Sequence, residues 1–495
     1  MAPSWYRKRT KPSRRSDGAR GSAQAGSSAP RLDGSVREVA VPHLFFSTTD
    51  RRGVIDGANT VFCHYARYTM DEILGQPHNL IRHPDMPGGA FQIMWDLLLA
   101  DRPMAAYVKN LAHDGVAYWV FATITPLGRD GYLSVRSRPC YTEAHKTVDE
   151  LYQKVLSMEM EARSEGLSRA AAAELGAGAL IDGIQEIGLS SYEDFVRLVL
   201  PAEVSARRAL TQWTDPDPRD PIAGLMCDML EAAMMVDQYL DDQMAGLDDL
   251  GILSDRLSEQ ADQTEASVAR LRIAVSAAVA ASDEIAILEP VMSHVVSPLP
   301  EIAQWLVSAM EDLHGRITDV HRRIGDLRVR IALTWLHDEQ LGEFTRELAV
   351  GEAPERAPEY INRLAQALEE TAKAAADEVM ATIEMLQVFT LDLVEVEREM
   401  RGFQHQLATW HLLIPRFELS QRFDPLAAPI DAQLNSGLRQ IVAVRRLAEQ
   451  CLAVSQPFDP GPISAALHAV WDAREVVSEL AQPTPPRGIR LPRLP

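Results

Sequence analysis

The sequence predicts two fold classes in one chain: an α+β domain near the N-terminus, and after it an all-α region that forms a helical bundle or a coiled coil. Two observations support this prediction. Short runs of β-branched and aromatic residues, separated by glycine-containing turns, lie between residues 43 and 138, and such runs are typical of strands. From about residue 146 onward, apolar residues recur at steps of three and four, which is the period of helices that pack along one face.

The α+β domain is predicted to contain five strands and three helices. The strands span 43–48, 54–55, 105–111, 117–125 and 132–138, and the helices span 59–68, 70–74 and 87–101. Gly53, Gly115 and Gly131 suit the turns between strands, because glycine adopts a positive φ without steric cost. Thr69 and Glu72 have the spacing of a capping box at the start of the second helix. These elements predict an antiparallel five-stranded sheet with helices over one face.

Three stripes of apolar residues at heptad spacing run along the predicted C-terminal helices. The stripes cover 247–285, 313–331 and 361–403, and proline-containing breaks fall at 216–221, 290–300, 351–358, 415–429 and 457–462. Long helices with such stripes pack as an antiparallel bundle or as a dimeric coiled coil. A purely structural bundle explains every stripe.

Charge is unevenly distributed along the chain, whose formal net charge is −21. Residues 1–38 carry nine basic and three acidic side chains, residues 483–495 carry three arginines and no acid, and the body between them carries −30. An acidic body repels the phosphate backbone of nucleic acids, so nucleic-acid binding is not expected. Composition and pattern together predict five parts: a disordered basic leader over 1–38, the α+β domain over 39–145, a helical linker or subdomain over 146–221, the bundle or coiled coil over 222–482, and a basic tail over 483–495.

The sequence also predicts a cellular compartment. No apolar run reaches the roughly 20 residues that a membrane helix needs, and no N-terminal apolar segment resembles a secretion signal. The four cysteines lack the paired spacing of disulfide or zinc sites. These features predict a protein of the reducing cytoplasm without a membrane span.

A series of short motifs lies between residues 44 and 138. They are Gly75-Gln-Pro-His-Asn-Leu-Ile-Arg-His-Pro-Asp-Met-Pro87, Ala90-Phe-Gln-Ile-Met-Trp95, Val108-Lys-Asn110, Tyr118-Trp-Val120, Thr125-Pro126 and Gly131-Tyr-Leu-Ser-Val-Arg136. In order and spacing they resemble the PAS domain of the aerotaxis receptor (Aer) family. The resemblance implies a PAS fold that holds FAD without a covalent bond, between the helices and the sheet, as a redox gauge.

The resemblance further implies a set of flavin-site residues, which are Asn59, Arg82, His83, Asp85, Trp95 and Asn110. The guanidinium of Arg82 suits a phosphate or a flavin carbonyl. The amides of Asn59 and Asn110 suit the donor and acceptor edge of the ring, and Trp95 suits a packing wall.

Structural roles remain open for some of these residues. His83 and Asp85 flank Pro84 in a predicted tight turn, from which Asp85 can cap the helix that follows. A tryptophan such as Trp95 on an apolar helix face also packs in cores without touching a cofactor. Haem is an alternative cofactor for a PAS pocket, with His78 or His83 as its axial ligand.

Catalysis is not predicted. The segment 292–299 resembles the phospho-acceptor box of histidine kinases, but no glycine-rich ATP-binding segment follows it. His337 and Asp338 resemble a ligand pair of metal phosphohydrolases, but they are expected among solvated helix charges, without the further ligands such a centre needs.

The predicted function is that of a cytoplasmic PAS protein that senses redox state or oxygen through FAD and relays the signal to the helical region. A homodimer through the PAS domain and the helices is expected, with an unidentified signalling protein, such as a chemotaxis component, as partner. The alternatives are a PAS scaffold for dimerisation or docking without a cofactor, a haem-binding PAS protein and a degenerate chemoreceptor.

Overall fold

The computed structural model describes residues 34–211, 299–349 and 356–413, together with parts of 234–263 and 436–468. The first 33 residues of the predicted leader, the predicted basic tail and the kinase-like segment up to residue 298 lie outside the described residues. Two compact units divide the chain. The first is drawn from Met1–Leu240, Val329–Lys373 and Pro460–Pro495, and the second from Asp241–Arg328 and Ala374–Asp459.

A six-stranded sheet forms the centre of the first unit. Its strands are β1 (Val36–Arg37), β2 (Phe45–Thr49), β3 (Ile55–Ala58), β4 (Met104–Leu111), β5 (Ala117–Pro126) and β6 (Tyr132–Ser137). β5 pairs antiparallel with β4 and β6, β6 pairs with β2, and β2 pairs with β3. The five predicted strands are confirmed, but the predicted total of five is wrong, since β1 pairs in parallel with the start of β5. A strand of two residues is too short to show a period in the sequence.

Four helical segments lie between β3 and β4. They are α1 (Thr60–Ala66), α2 (Met70–Ile73), a 3-10 helix (His78–Ile81) and α3 (Gly88–Leu99). Asn59 begins α1, because its Oδ1 accepts a hydrogen bond from the amide of Phe62 at 3.2 Å. The predicted capping box of α2 is confirmed, with the Glu72 carboxylate accepting from the Thr69 amide at 2.8 Å.

Three further helices, α4 (Thr142–Ser164), α5 (Arg169–Glu186) and α6 (Tyr192–Leu210), follow the sheet. α5 crosses α3 so closely that a Cβ on Gly89 would lie 2.3 Å from backbone atoms of α5. The carboxylate of Glu159 on α4 accepts hydrogen bonds from the amides of Gly88 and Gly89, each at 2.7 Å. The predicted capping of α3 by Asp85 is therefore wrong. The Asp85 carboxylate accepts instead from Lys109 Nζ at 2.8 Å.

Two long helices, α7 (Leu299–Ala349) and α8 (Ala357–Leu413), follow in the described C-terminal part of the chain. The predicted stripes on them are confirmed, because their described members are buried: Leu313, Ile317, Val320, Ile324, Leu327, Ile331, Ile361, Leu364, Leu368, Leu386, Phe389, Leu393, Val396 and Met400. Of the stripe over 247–285, Leu250 and Leu257 are buried, and the part beyond 263 lies outside the described residues. Among the described helices, none combines the length and the apolar content needed to cross a membrane.

His337 and Asp338 on α7 correct another prediction, because they are buried rather than solvated. Their exposed fractions are 0% and 1%. His337 Nε2 lies 3.3 Å from Thr125 Oγ1 of β5, and its Nδ1 lies 3.4 Å from Thr371 Oγ1 of α8. The Thr125 hydroxyl on one face of the sheet thus lies within hydrogen-bond distance of His337, a helix residue 212 positions later in the chain.

Candidate functional site

A cavity of about 120 Å³ lies in the first unit between α3 and the sheet. Its lining residues are Thr49, Gly53, His78, Asn79, Arg82, Phe91, Met94, Trp95, Leu98, Val108, Asn110, Ala122, Ile124, Tyr132, Ser134 and Arg136. These described lining residues include two arginines and neither Asp nor Glu. The walls of the cavity are therefore mainly apolar, and the charged side chains among its described lining residues are the positive ones of Arg82 and Arg136.

The periodicity of the surrounding elements explains which side chains reach the cavity. One face of α3 contributes four apolar residues at steps of three and four, which are Phe91, Met94, Trp95 and Leu98. On the strands every second side chain points to the cavity, as Tyr132, Ser134 and Arg136 do on β6. A single helix face and the inner faces of β4, β5 and β6 thus enclose the space.

Arg136 places a buried positive charge in the cavity wall, with only 4% of the residue exposed. Its Nη1 donates to Ser47 Oγ at 3.0 Å and to the carbonyl of Ser134 at 3.2 Å. Its Nη2 lies 2.6 Å from Nε2 of His78, and burial lowers the pKa of Arg136 to about 10. Among the described residues no carboxylate pairs with Arg136. The cation therefore lies in the cavity wall with neutral polar groups, Ser47, Ser134 and His78, as its hydrogen-bond partners.

His78 is a neutral acceptor for Arg136. Burial, and then the charge of Arg136, lower the pKa of His78 to about 3. Because a guanidinium only donates, we assign Nε2 as the acceptor and place the ring proton on Nδ1. An axial bond from Nε2 of His78 to haem iron would require Arg136 to be displaced. His83, the other candidate haem ligand, does not line the cavity, so the residues present do not fit a haem.

Arg82 and Asn110 are neighbours across an isolated β-bridge. The guanidinium of Arg82 lies 4.0 Å from the centre of the Phe91 ring, and its Nη2 donates to the carbonyl of Met86 at 2.9 Å. Asn110 is 3% exposed, and its Nδ2 has no hydrogen-bond partner within the described chain. Leaving a buried donor unpaired costs about 1–3 kcal/mol, so an acceptor atom of a ligand would offset that cost.

Three of the six predicted site residues, Arg82, Trp95 and Asn110, line the cavity together. Trp95 lies on the inner face of α3 with 7% of its surface exposed, and its ring is 6.0 Å from that of Tyr132. Three different segments bring these residues together, since Arg82 follows the 3-10 helix, Trp95 lies on α3 and Asn110 lies on β4. Their contact with a flavin stays a prediction.

The other three predicted site residues lie outside the cavity wall. Asn59 caps α1, and its Nδ2 donates to Glu347 Oε1 at 2.5 Å. The buried ring of His83 accepts from the Asp85 amide through Nδ1 at 3.1 Å, and burial together with the charge of Lys109 lowers the pKa of His83. The hydrogen bond within the loop at His83 and the ion pair between Asp85 and Lys109 hold the loop before α3 against β4.

Sequence reasoning assigned no role to Arg136 or Ser134, although both belong to the motif that ends at residue 136. A usable signal was present, because Arg136 follows Ser134 at a step of two in a strand that is otherwise apolar or small. Arginine is rarely buried without a partner. An arginine in phase with the inner face of a predicted strand is therefore a candidate ligand contact.

The walls and the donors of the cavity together suit a flat ring system with acceptor atoms along one edge. Trp95 and Phe91 offer aromatic surface to the ring faces. Arg136, Asn110 and Ser134 offer donors, and the Nδ2 of Asn110 and the Oγ of Ser134 lack partners within the described chain. A flavin has this form, so the residues present fit a flavin.

Comparison with known proteins identifies the domain that contains the cavity. Residues 56–135 match the family model of the PAS fold. The aerotaxis receptor of Escherichia coli (strain K12) is 39% identical over 131 residues, which make up 26% of this chain and 26% of the receptor. A nitrogen fixation regulatory protein of Klebsiella pneumoniae is 36% identical over 96 residues, 17% of this chain and 19% of that protein. The chain thus spans about a quarter or less of the length of these relatives.

Solved structures of LOV proteins also match part of the chain. The light-state structure of the blue-light photoreceptor Aureochrome1 LOV is 18% identical with a TM-score of 0.20, and the match covers 22% of this chain and 90% of that one. The LOV protein of Rhodobacter sphaeroides is 18% identical with a TM-score of 0.19, covering 29% of this chain and 90% of that one.

Proposed function

From the premise that the chain carries a PAS domain homologous to that of an aerotaxis receptor, we propose that it is a sensor protein whose PAS cavity binds a flavin, specifically FAD. The signal read is redox state or oxygen. The observation that supports the proposal is the cavity itself. It combines aromatic and aliphatic walls with Arg136, a buried cation that no described carboxylate pairs, and Asn110, a buried amide donor without a described partner.

Arg136, Asn110 and Arg82 have distinct parts in this proposal. A bound flavin supplies reversible electron transfer, with a change of charge and protonation at its ring edge. Arg136 holds a positive charge beside that edge, and its bonds to His78 and Ser47 fix the plane of the guanidinium. Asn110 donates its amide to a ring acceptor, while Arg82 meets a phosphate or a carbonyl.

The output of the sensor is the helical region. In this proposal a change at the ring edge alters the hydrogen bonds of the cavity wall, and the altered wall biases the helices that pack on the PAS domain. We place the protein in the cytoplasm as a non-enzyme that dimerises through its PAS domain and helices. Its partner is a signalling protein, with chemotaxis components as the first candidates.

A titration of the purified full chain with FAD and with FMN tests the proposal. Trp95→Leu removes an aromatic wall of the cavity, and Trp305→Leu is the matched control, because Trp305 is 41% exposed on α7 in the other unit. We expect saturable binding by the wild type and a loss of at least about tenfold in affinity for the Trp95 variant, from roughly 1.4 kcal/mol of lost aromatic contact. The Trp305 variant should bind as the wild type does.

Two outcomes contradict parts of the proposal. Equal affinity for FMN and FAD would remove FAD as the specific ligand while leaving a flavin. Absence of saturable binding by the wild type would refute the flavin sensor and favour a PAS scaffold that works without a cofactor.

A further inference from the structure

Asn59 lies outside the cavity and yet joins its surroundings to a helix 288 residues later in the chain. The residue is fully buried, and its side chain bonds in two directions. Its Oδ1 accepts from the backbone amides of Phe46 and Phe62, each at 3.2 Å. Its Nδ2 donates to Oε1 of Glu347 on α7 at 2.5 Å. Asn59 thus ties β2 and α1 to α7 within the first unit.

The carboxylate of Glu347 is committed to this contact. Its second oxygen accepts from the amide of Thr60 at 3.2 Å and from the Thr60 hydroxyl at 2.8 Å. Glu347 is 8% exposed, so these bonds replace most of its hydration. Burial raises the pKa of Glu347, and the hydrogen bonds from Thr60 and Asn59 act in the opposite direction by favouring the ionised form. Hydrogen bonds to an ionised group are about twice as strong as neutral ones. The three donors therefore hold α1 against α7 through the Glu347 carboxylate.

Phe62 connects the contact between α1 and α7 to the cavity wall. Its ring centre lies 5.3 Å from the guanidinium carbon of Arg136 and 6.0 Å from the ring centre of His78. Both of those residues line the cavity. An unbroken series of contacts therefore runs from Arg136 through Phe62 and Asn59 to Glu347.

Aromatic packing brings α8 to the same place. The ring of Phe46, whose amide bonds to Asn59, lies 5.3 Å from that of Phe344 on α7 and 5.8 Å from that of Tyr360 on α8. Beside them Arg363 on α8 pairs with Asp56 on β3 at 2.6 Å. α7 therefore contacts both α1 and β2, and α8 contacts β2 and β3.

We propose that the contact between Asn59 and Glu347 communicates the state of the PAS cavity to α7 and α8. A group bound by Arg136 redirects the guanidinium that covers Phe62, and Phe62 and Asn59 carry the change to the carboxylate of Glu347. The proposal rests on the proposed function only in taking flavin as the group that binds.

Amide hydrogen exchange on the full chain tests this coupling. The state of the cavity is changed in two ways: by adding FAD, and by the substitution Ala122→Leu, which fills part of the cavity without any ligand. Each change is made in the wild type, in Glu347→Ala, in Glu347→Gln and in Glu369→Ala. Glu369 is exposed on α8 in the same unit and is the matched control.

In the wild type and the Glu369 variant, we expect FAD and Ala122→Leu each to change the exchange rates of amides in 333–349 by at least about fivefold, the lower range of allosteric coupling. Glu347→Ala should abolish that response. Glu347→Gln keeps the side-chain volume with one acceptor oxygen instead of two, and it carries the comparison if the alanine variant unfolds α1.

Other results would overturn the coupling. It fails if residues 333–349 respond neither to FAD nor to Ala122→Leu, or if their response persists in both Glu347 variants. If the wild type binds no FAD but Ala122→Leu produces the Glu347-dependent response, the proposed function fails and the coupling stands.

Discussion

At the scale of single residues, the cavity wall contains buried polar side chains that lower the stability of the ligand-free fold and can bind a ligand. Arg136 and Asn110 are buried in a wall where apolar residues of similar size would avoid the cost of lost hydration. Arg136 recovers part of that cost through His78 and Ser47. Asn110 does not recover it at Nδ2 within the described chain. Such residues are expected where a ligand completes the hydrogen bonding.

Asn110→Val separates binding from stability. The ligand-free protein should be as stable as the wild type or more stable, because a buried amide without a partner is removed. The affinity for FAD should fall about five- to tenfold, the equivalent of one hydrogen bond of about 1 kcal/mol. Thermal melting without ligand and titration with FAD measure the two effects.

Thr123→Val is the matched control for that substitution. Thr123 Oγ1 is also buried without a partner in the described chain, but Thr123 is not a lining residue of the cavity. It should therefore alter stability in the same direction and leave FAD affinity unchanged. Full FAD affinity in the Asn110 variant would exclude Asn110 as a ligand contact.

His78 predicts a pH dependence of local stability. Its pKa is lowered from an ordinary 6.5 to about 3, so between these values the unfolded chain binds a proton that the folded chain does not. Stability is therefore lost as the pH falls below 6.5. At pH 5 the loss from this residue should be about 1–2 kcal/mol relative to pH 7.5. Hydrogen exchange of the β6 amides in the wild type and in His78→Gln measures it.

In that comparison the wild type should lose more opening free energy than the glutamine variant, whose side-chain oxygen still accepts from Arg136. Parallel losses in the two proteins would show that His78 is not held neutral by its surroundings.

At the scale of elements, the position of α3 depends on small residues at its crossing with α5. A Cβ on Gly176 of α5 would lie 2.0 Å from Oε1 of Glu159, the carboxylate that bonds the first amides of α3. Because α3 supplies Phe91, Trp95 and two further cavity residues, this crossing sets the width of the cavity.

Gly176→Ala should therefore destabilise the crossing by about 1–3 kcal/mol, as overpacking does, and it should also weaken FAD binding. Gly178→Ala is the control, since no atom lies within 4 Å of a Cβ there, and better helix propensity should stabilise α5 by up to about 1 kcal/mol. Hydrogen exchange of α3 amides and an FAD titration measure both variants. Similar effects from the two substitutions would contradict this account of the crossing.

Elements with a clear period were predictable from the sequence, and contacts between distant elements were not. Alternation and turn glycines revealed β2 to β6, and heptad spacing revealed which residues of α7 and α8 are buried. The capping of α3 by Glu159 was missed because Asp85 is nearby in sequence, whereas Glu159 is 70 residues away from Gly89. Local spacing therefore favoured the wrong carboxylate.

At the scale of the whole molecule, the same limit explains the placement of Asn59 and of His337. Asn59 is predicted as a flavin-site residue, and the structure places its side-chain amide against Glu347. His337 was expected in solvent, but it lies against Thr125 of β5. A polar residue in the sequence shows that a partner is needed and does not show which one. The salt bridge between the buried residues Arg207 and Glu339, at 2.8 Å, is another example. The two residues are 132 positions apart, so local sequence spacing could not predict that they pair.

The organisation of the first unit gives the proposed sensor a short route from ligand to output. The PAS sheet has the cavity on one face and residues of α7 and α8 on the other. A signal in the cavity therefore has to cross only one sheet or one short helix to reach the long helices. The account as a whole depends on the cavity binding a flavin.

The most direct test of that central claim is the absorption spectrum of the purified full chain, with the released cofactor identified by chromatography. The account predicts a yellow protein with the visible bands of oxidised flavin, which chemical reduction bleaches and air restores, and FAD as the released compound. A colourless protein that takes up no added flavin, or a Soret band from haem, would contradict it.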